Sequence, residues 1–399
     1  MVKSAQPLVI YLSNAIDEEC RLSRSITTDS PAASNKVLAI ANSIQEAGLK
    51  CVILSLGRGR QNGKGHFHPV TIRRKDGVLF IYCSFLQLPL LTHIISALSM
   101  TILIMRLKIR NSNLILLAYN RSFHYVLALI YARFFLIHSY LDLEDGYISG
   151  RLKPFILFKN AFIRWLYGRL CPCGAMVACN GLAKQLDASP KLICYGIARN
   201  STLACKSWGS IRLKILFSGT LLEEVGSGLL IAAINSLKKK YPNLVSQLHF
   251  VVTGKGQFAD EFSRLAKINP EWLSFGNILS REAYLNTLRE SHIGLSLRLT
   301  SFEMSATTFP SKVIEYAEHG LLIISTRASD VPTLFGDSAI YLESETVGAL
   351  VDLLASLPNR RVELDNIASR GHRKISQICN SLVVGSEIRN MVCGKGLYG

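Results

Sequence analysis

The stretch Thr307-Thr308-Phe309-Pro310-Ser311-Lys312-Val313-Ile314-Glu315-Tyr316-Ala317-Glu318-His319-Gly320, followed by Leu321-Leu322-Ile323-Ile324-Ser325, decides the fold. It reads as a loop, a short helix, a glycine stop and a strand buried on both faces. Thr308 or Ser311 can cap the helix, and Pro310 suits its first turn. Val313, Ile314 and Ala317 can face a core, while Lys312 and Glu315 sit three apart on another face. Gly320 fits the left-handed position past the helix end. Lys312 is the odd residue. A cation in a first helical turn opposes the dipole, unless an anion also sits there and the N–H groups and the ammonium converge on it. The plain alternative is a solvated surface lysine.

Outward from this stretch the chain alternates strands and helices, the mark of parallel α/β sheets. Leu8 to Leu12 reads as the first strand, Ser13 to Asn35 as a long polar loop, Lys36 to Ala47 as a helix ended by Gly48, and Cys51 to Leu56 as the second strand. The glycine-rich basic segment Gly57 to Gly65 reads as a loop. Leu114 to Tyr119 and Phe134 to Leu143 read as strands, the latter ending at the acids Glu144 and Asp145. Residues 198–211 are polar and irregular, which suits a linker. A second alternation begins at Lys214. The pattern predicts an N-terminal unit over 1–200, a C-terminal unit over 201–375 and a tail over 376–399 that packs back on the N-terminal unit.

The 399 residues carry a formal net charge of +17. The excess is uneven: residues 1–205 hold 24 Lys and Arg against 10 Asp and Glu, a net of +14. Such a half favours anionic partners, whether phosphate groups, an acidic membrane surface or nucleic acid. The ten cysteines are scattered and several lie in apolar runs, which predicts buried reduced thiols in a cytosolic protein. Cys171-Pro172-Cys173 with Cys179 lacks a zinc-like spacing, so no metal site is expected. The start, Met1-Val2-Lys3-Ser4, leads straight to a strand with no secretory signal. Residues 86–105 approach membrane-spanning length and are followed by Arg106, Lys108 and Arg110. A spanning helix, a core helix and an interfacial helix compete there. The resumed alternation favours one face in the core and one near lipid.

Four stretches together carry a family resemblance: Leu216-Phe217-Ser218-Gly219, Val251-Val252-Thr253-Gly254-Lys255-Gly256, Gly276-Asn277-Ile278-Leu279-Ser280-Arg281 and Phe309 to Gly320. Val177-Ala178-Cys179-Asn180-Gly181-Leu182 adds a fifth. In order and spacing the sequence resembles the GT-B glycosyltransferases, and among them the retaining family-four enzymes of bacterial surface polysaccharide synthesis. The resemblance implies an α/β GT-B architecture, two Rossmann-like domains facing across a cleft. It implies a nucleotide-diphosphate-sugar donor on the C-terminal domain, a lipid-linked or polysaccharide acceptor on the N-terminal one, and no bound metal or other cofactor.

The donor-binding residues so implied are Gly219, Thr220, Gly254, Lys255, Gly276, Asn277, Ile278, Arg298, Ser311, Lys312 and Glu315. Glu315 would accept from the ribose hydroxyls and Lys312 would neutralise the departing diphosphate. The candidate catalytic residues are Glu144 and Asp145, as paired acids at a strand end, with His124 as the alternative. His93, His249 and His372 read as structural. The sequence also departs from the family. Thr220 and Val225 stand where it usually has an arginine and a lysine, and Thr307 stands where it has an acid. An epimerase of the same fold and a degenerate binding protein are therefore the competing readings. The expected partners are a nucleotide sugar, a glycan or lipid-linked acceptor and an anionic membrane touched from the cytoplasmic side, with no nucleic acid.

Overall fold

The computed structural model describes residues 6–26, 30–57, 65–88, 91–146, 154–198, 206, 208–210 and 212–394. Most of the 57–65 loop, Tyr147, and most of the 198–211 linker lie outside the described residues, as does the end of the 376–399 tail. The chain divides into two compact units: residues 1–197 with 381–399, and residues 198–380.

In the first unit the elements run β1 (Leu8–Ser13), α1 (Glu18–Ser23), α2 (Pro31–Glu46), β2 (Lys50–Ser55), β3 (Phe67–His68), β4 (Thr71–Lys75), β5 (Val78–Tyr82), β6 (Phe85–Leu86) and α3 (Leu91–Arg110). They continue with β7 (Leu114–Tyr119), α4 (Val126–Phe134), β8 (His138–Leu143), α5 (Pro154–Leu170), β9 (Ala175–Val177), α6 (Asn180–Ala183) and β10 (Lys191–Ile193). Among the described residues, eight strands form one sheet in the order β10-β9-β8-β7-β1-β2-β5-β4. All neighbours are parallel except β4, which runs antiparallel to β5. Continuous apolar runs explain the parallel centre: Leu8 to Leu12 and Leu114 to Ala118 are buried on both faces. Val9, Tyr11, Ile53, Ile115 and Leu117 share a core with Val37, Ile40 and Ile44 of α2. Right-handed crossovers put α3, α4 and α5 on the opposite face.

Four departures from the sequence reading have local causes. The polar loop over Ser13 to Asn35 contains α1, because Asp17 caps it by accepting from the Cys20 N–H at 2.7 Å. Helix α2 starts at Pro31 rather than Lys36, since Ser30 caps it and proline suits the first position. The β4–β5 hairpin turns at Asp76-Gly77, both with positive φ (48° and 84°), an Asp-Gly signal present in the sequence and unread. Strand β8 starts at His138; Phe134 ends the preceding helix, and Leu136 takes a left-handed φ of 52° before it.

In the second unit β11 (Leu213–Thr220), α7 (Ser227–Lys240), β12 (Leu248–Lys255), α8 (Ala259–Ile268), β13 (Leu273–Gly276), α9 (Arg281–Glu290) and β14 (Ile293–Ser296) come first. They are followed by α10 (Lys312–Glu318), β15 (Leu322–Ser325), α11 (Val331–Phe335), β16 (Ile340–Tyr341), α12 (Val347–Ser356) and α13 (Arg361–Ile378). The parallel sheet order is β13-β12-β11-β14-β15-β16. The last helix, α14 (Ser381–Cys393), belongs to the first unit.

Helix α14 packs along α2 with Val384, Ile388, Met391 and Val392 buried. The two helices approach closely because Gly385 has no side chain; a Cβ there would lie 1.9 Å from the Ser43 carbonyl oxygen. Ser381 and Ser43 hydroxyls meet at 2.8 Å, and Arg389 Nη1 donates to the Ala47 carbonyl at 3.0 Å. Gly385→Ala is therefore expected to destabilise the chain by about 1–3 kcal/mol through overpacking. Val383→Ser, on the exposed side of the same helix, should stay within about 0.5 kcal/mol. Urea unfolding of the two variants measures the difference.

Candidate functional site

The second unit gathers its chemistry at the C-terminal edge of its sheet, where ligands of open parallel sheets bind. Gly219 and Thr220 end β11, and the register sets them beside Gly254 and Lys255 at the end of β12. Gly276 ends β13 opposite Thr253, with Asn277 and Ile278 exposed beyond it. The close approach of the first two strand ends depends on Gly254, at φ 141°: a Cβ there would fall 1.8 Å from the Gly219 carbonyl oxygen. Thr220 and Lys255 are exposed.

Helix α10 is placed by an aromatic anchor. Tyr316 is buried against β14, where Gly294 leaves room; a Cβ at Gly294 would come within 2.3 Å of the ring. The Tyr316 hydroxyl accepts from the Ser218 N–H at 3.0 Å and meets the Ser218 hydroxyl at 2.8 Å. Ser218 in turn meets the Tyr284 hydroxyl of α9 at 3.0 Å. Tyr284 donates to Glu315 Oε2 at 3.0 Å, and Lys312 Nζ donates to the same oxygen at 2.6 Å. Lys312 also donates to the Tyr284 hydroxyl at 3.0 Å and lies 4.6 Å from the ring centroid. Burial, and then the Glu315 carboxylate, push the Tyr284 phenol well above its ordinary value. Burial likewise raises Tyr316. Both phenols stay protonated, and each can donate one hydrogen bond.

The first turn of α10 differs from the sequence expectation. Ser311 adopts a helical backbone (φ −52°, ψ −20°) and its side chain caps nothing. The Thr308 hydroxyl is buried with no hydrogen-bond partner. The N–H groups of Val313 and Ile314 instead close i→i+3 bonds to Pro310 and Ser311. The helix ends as read: Gly320 has φ 71°, its N–H reaches the Ala317 carbonyl, and the Leu321 N–H reaches that of Tyr316. Arg298 follows β14. Its side chain is mostly covered and lies 3.8 Å from Glu224, and its Nε is buried without a hydrogen-bond partner.

In the first unit the acids group differently from the sequence expectation. Glu144 forms a mostly buried ion pair with Lys36 of α2, while Asp145 is exposed. The second acid near Glu144 is Asp142, on β8, which accepts from the Tyr11 hydroxyl of β1 and is 1% exposed. Burial, and then the Glu144 charge, push Asp142 up to about 7, against the pull of Lys36. Burial alone would lower the Lys36 ammonium, yet Glu144, Cys194 and Asp142 hold it above its ordinary value. Asn120, at φ 53°, fixes the strand end: its N–H donates to the Asp142 carbonyl and its Oδ1 accepts from the Glu144 N–H at 2.9 Å. Sequence reasoning passed over Asp142 because it sits inside an apolar strand run. Its signal was that same position, since a carboxylate there needs partners.

His124 meets the Ser122 hydroxyl through Nδ1 at 2.9 Å and His93 of α3 through Nε2. Among the described residues no group of three or more His, Cys, Asp or Glu is placed to hold a metal ion.

Residues 212–359 match the family model described as Glycosyl transferases group 1. No curated protein sequence matches the chain. Solved structures resemble it along nearly its whole length. The α,α-trehalose 6-phosphate synthase of Burkholderia multivorans is 11% identical, with 97% of this chain and 98% of that one covered at a TM-score of 0.62. The Anabaena HepE protein in complex with UDP is also 11% identical, covering 97% and 100% at 0.63. TarM is 9% identical, covering 98% and 99% at 0.66.

The chain has the GT-B fold. Its second unit holds the group 1 match, which begins at β11 and spans α10. Every donor-side residue expected from sequence falls within that match, and the structure brings Lys312 and Glu315 into one network. On the first unit of this GT-B chain, Glu144 and His124 lie in separate hydrogen-bonded groups.

The buried acid gives a pH signature. Asp142 binds its proton more tightly folded, at about 7, than unfolded, near the ordinary carboxylate range of about 4. Its stabilising contribution is complete at acid pH and fades as pH rises toward 7. Asp142→Asn is expected to flatten this fall, so its melting temperature should change less than that of the parent chain between pH 5 and pH 8. Lys36→Met, which leaves Glu144 without its partner, should cost roughly 3 kcal/mol. Adding Glu144→Gln should recover part of that loss in a thermal-unfolding cycle.

Proposed function

We propose that this chain is a glycosyltransferase that takes a sugar from a nucleotide-diphosphate donor and passes it to a lipid-linked or polysaccharide acceptor. The setting we propose is bacterial cell-surface polysaccharide assembly, O-antigen or capsule, on the cytoplasmic side of the membrane. One observation carries the donor part. Within the segment matching the group 1 family, Lys312 and Glu315 stand side by side on α10, tied through Tyr284 and Ser218 to the C-terminal end of β11. A carboxylate with two acceptor oxygens suits a ribose diol, and an ammonium beside it suits a diphosphate. Without donor the two neutralise each other. Donor binding exchanges that pair for one contact from each to the nucleotide.

The departures at Thr220 and Val225 leave the leaving diphosphate to other cations. Arg298 fits that role, since its buried Nε still has a donor to give. Lys255, exposed at the end of β12, is the second source of charge. On the acceptor side Glu144 is the candidate base, poised by Lys36 and Asn120.

A second reading, a binding protein that holds the nucleotide but transfers nothing, is favoured by one residue. Thr307 is 9% exposed and neutral where the resemblance calls for an acid, and Glu303 nearby is exposed and out of register.

Thermal shift against a panel of nucleoside diphosphates tests the proposal. One nucleotide should raise the melting temperature. Lys312→Ala and Glu315→Ala should each weaken its binding about tenfold or more, the scale of a lost hydrogen bond to a charged group. Arg298→Gln should weaken it by a similar factor. A flat response to every nucleotide would sink both readings. Binding with no sugar transfer to any glycan or lipid-linked acceptor would favour the second.

A further inference from the structure

We infer that α3, α4 and α5 of the first unit together form a surface that inserts shallowly into an anionic lipid bilayer. The sequence alone pointed to 86–105 with its basic flank and to the basic excess of the N-terminal half. Helix α3 there is long and apolar enough to cross a membrane. In the structure it is the crossover between β5 and β7, and it buries Ser96, Met100, Thr101 and Ile104 in the unit. Its other side carries Ile94, Leu98, Ile102, Met105 and Ile109, all exposed. Their spacing of four, four, three and four residues is one continuous helical stripe that stays exposed among the described residues.

The stripe does not stand alone. Helix α4 packs on α3 and α5 packs on α4, so the three lie side by side. Helix α4 runs out into Phe134, Phe135 and Leu136, an exposed apolar turn in which Leu136 is 81% exposed and takes the left-handed backbone that leucine rarely adopts. Helix α5 presents Phe155, Phe158, Phe162 and Trp165, with Phe158 70% and Trp165 56% exposed. The helices are linked at their surface as well: Lys159 of α5 sits 5.5 Å over Phe123, next to the His124 that meets His93 of α3. Scattered exposed apolar residues are ordinary, but an apolar face spread over three adjacent helices marks a contact surface.

Charge selects the occupant. Helix α3 ends on Arg106, Lys108 and Arg110, α4 carries Arg133, and α5 carries Lys159, Arg164 and Arg169. None of the three helices holds an Asp or Glu. Aromatic and aliphatic side chains edged by cations alone fit the boundary between acyl chains and acidic headgroups. A second copy of the same face would set cation against cation.

The protein supplies its own probe. Of its three tryptophans, Trp208 and Trp272 are buried in the second unit, so Trp165 is the one that new surroundings can reach. With vesicles of equal parts phosphatidylglycerol and phosphatidylcholine, the full chain should co-sediment and its emission should shift to the blue. Brominated acyl chains should quench that emission. Affinity for pure phosphatidylcholine should be at least about tenfold weaker. Trp165→Phe should abolish the spectral change while the protein still sediments. Phe155→Ser with Phe158→Ser should lose sedimentation with an unchanged melting temperature, since both side chains are exposed. The inference falls if neither vesicle binds the chain or if the double variant binds as well as the parent. It falls equally if the blue shift follows protein concentration without lipid, which would assign the face to a second copy. No nucleotide enters the assay, so its failure leaves the donor reading standing, and the reverse holds too.

Discussion

The second unit turns on how one phenol ring is seated. Tyr316 occupies the space that Gly294 leaves open on β14, and its hydroxyl is held by both the N–H and the side chain of Ser218. This seat fixes the rotation of α10 about its axis. Lys312 and Glu315, four residues and one residue before Tyr316, are thereby carried to the C-terminal edge of the sheet rather than over its side. Their network is satisfied within itself, with Tyr284 bridging the charged pair to the sheet. A site preassembled in this way loses little side-chain freedom when a ligand replaces internal partners with its own.

The first unit is governed by the opposite problem, charge under cover. Glu144 pairs with the ammonium of Lys36, Asp142 lies within reach of the same charge, and both acids sit near the end of β8. Two carboxylates and one ammonium cannot all be charged cheaply in low dielectric, so one acid holds its proton toward neutrality. The partners come from three separate segments, β1, α2 and β8.

Much of this was legible in the sequence, for identifiable reasons. Doubly buried strands advertise themselves as unbroken apolar runs, so Leu114–Tyr119 is legible with its observed bounds. Gly320 was legible because only a left-handed end explains a glycine between a helix and a strand. The α10 pair was visible from spacing alone. What stayed hidden depended on distant chain. Asp142 does not stand out inside a strand run, because its partner Tyr11 lies 131 residues away in sequence. Glu144 and Asp145 looked like a pair because they adjoin in sequence, but neighbours on an extended chain point to opposite sides. Only Glu144 reaches Lys36. The exposed face of α5 was also illegible, since Pro154–Leu170 spreads apolar residues and Lys159, Asn160, Arg164 and Arg169 round the helix without a clear polar face.

The β4–β5 turn has a consequence for how far the first sheet extends. The chain enters β5 from β4 through this turn, so the sheet ends in a strand of reversed direction, Thr71-Ile72-Arg73-Arg74-Lys75. An open strand edge invites another chain to pair with it, and a row of cations at that edge repels an identical copy. Arg73 is held by Glu19, while Arg74 and Lys75 remain exposed to solvent. The small hairpin thus ends the sheet on a strand whose exposed cations oppose pairing with an identical edge.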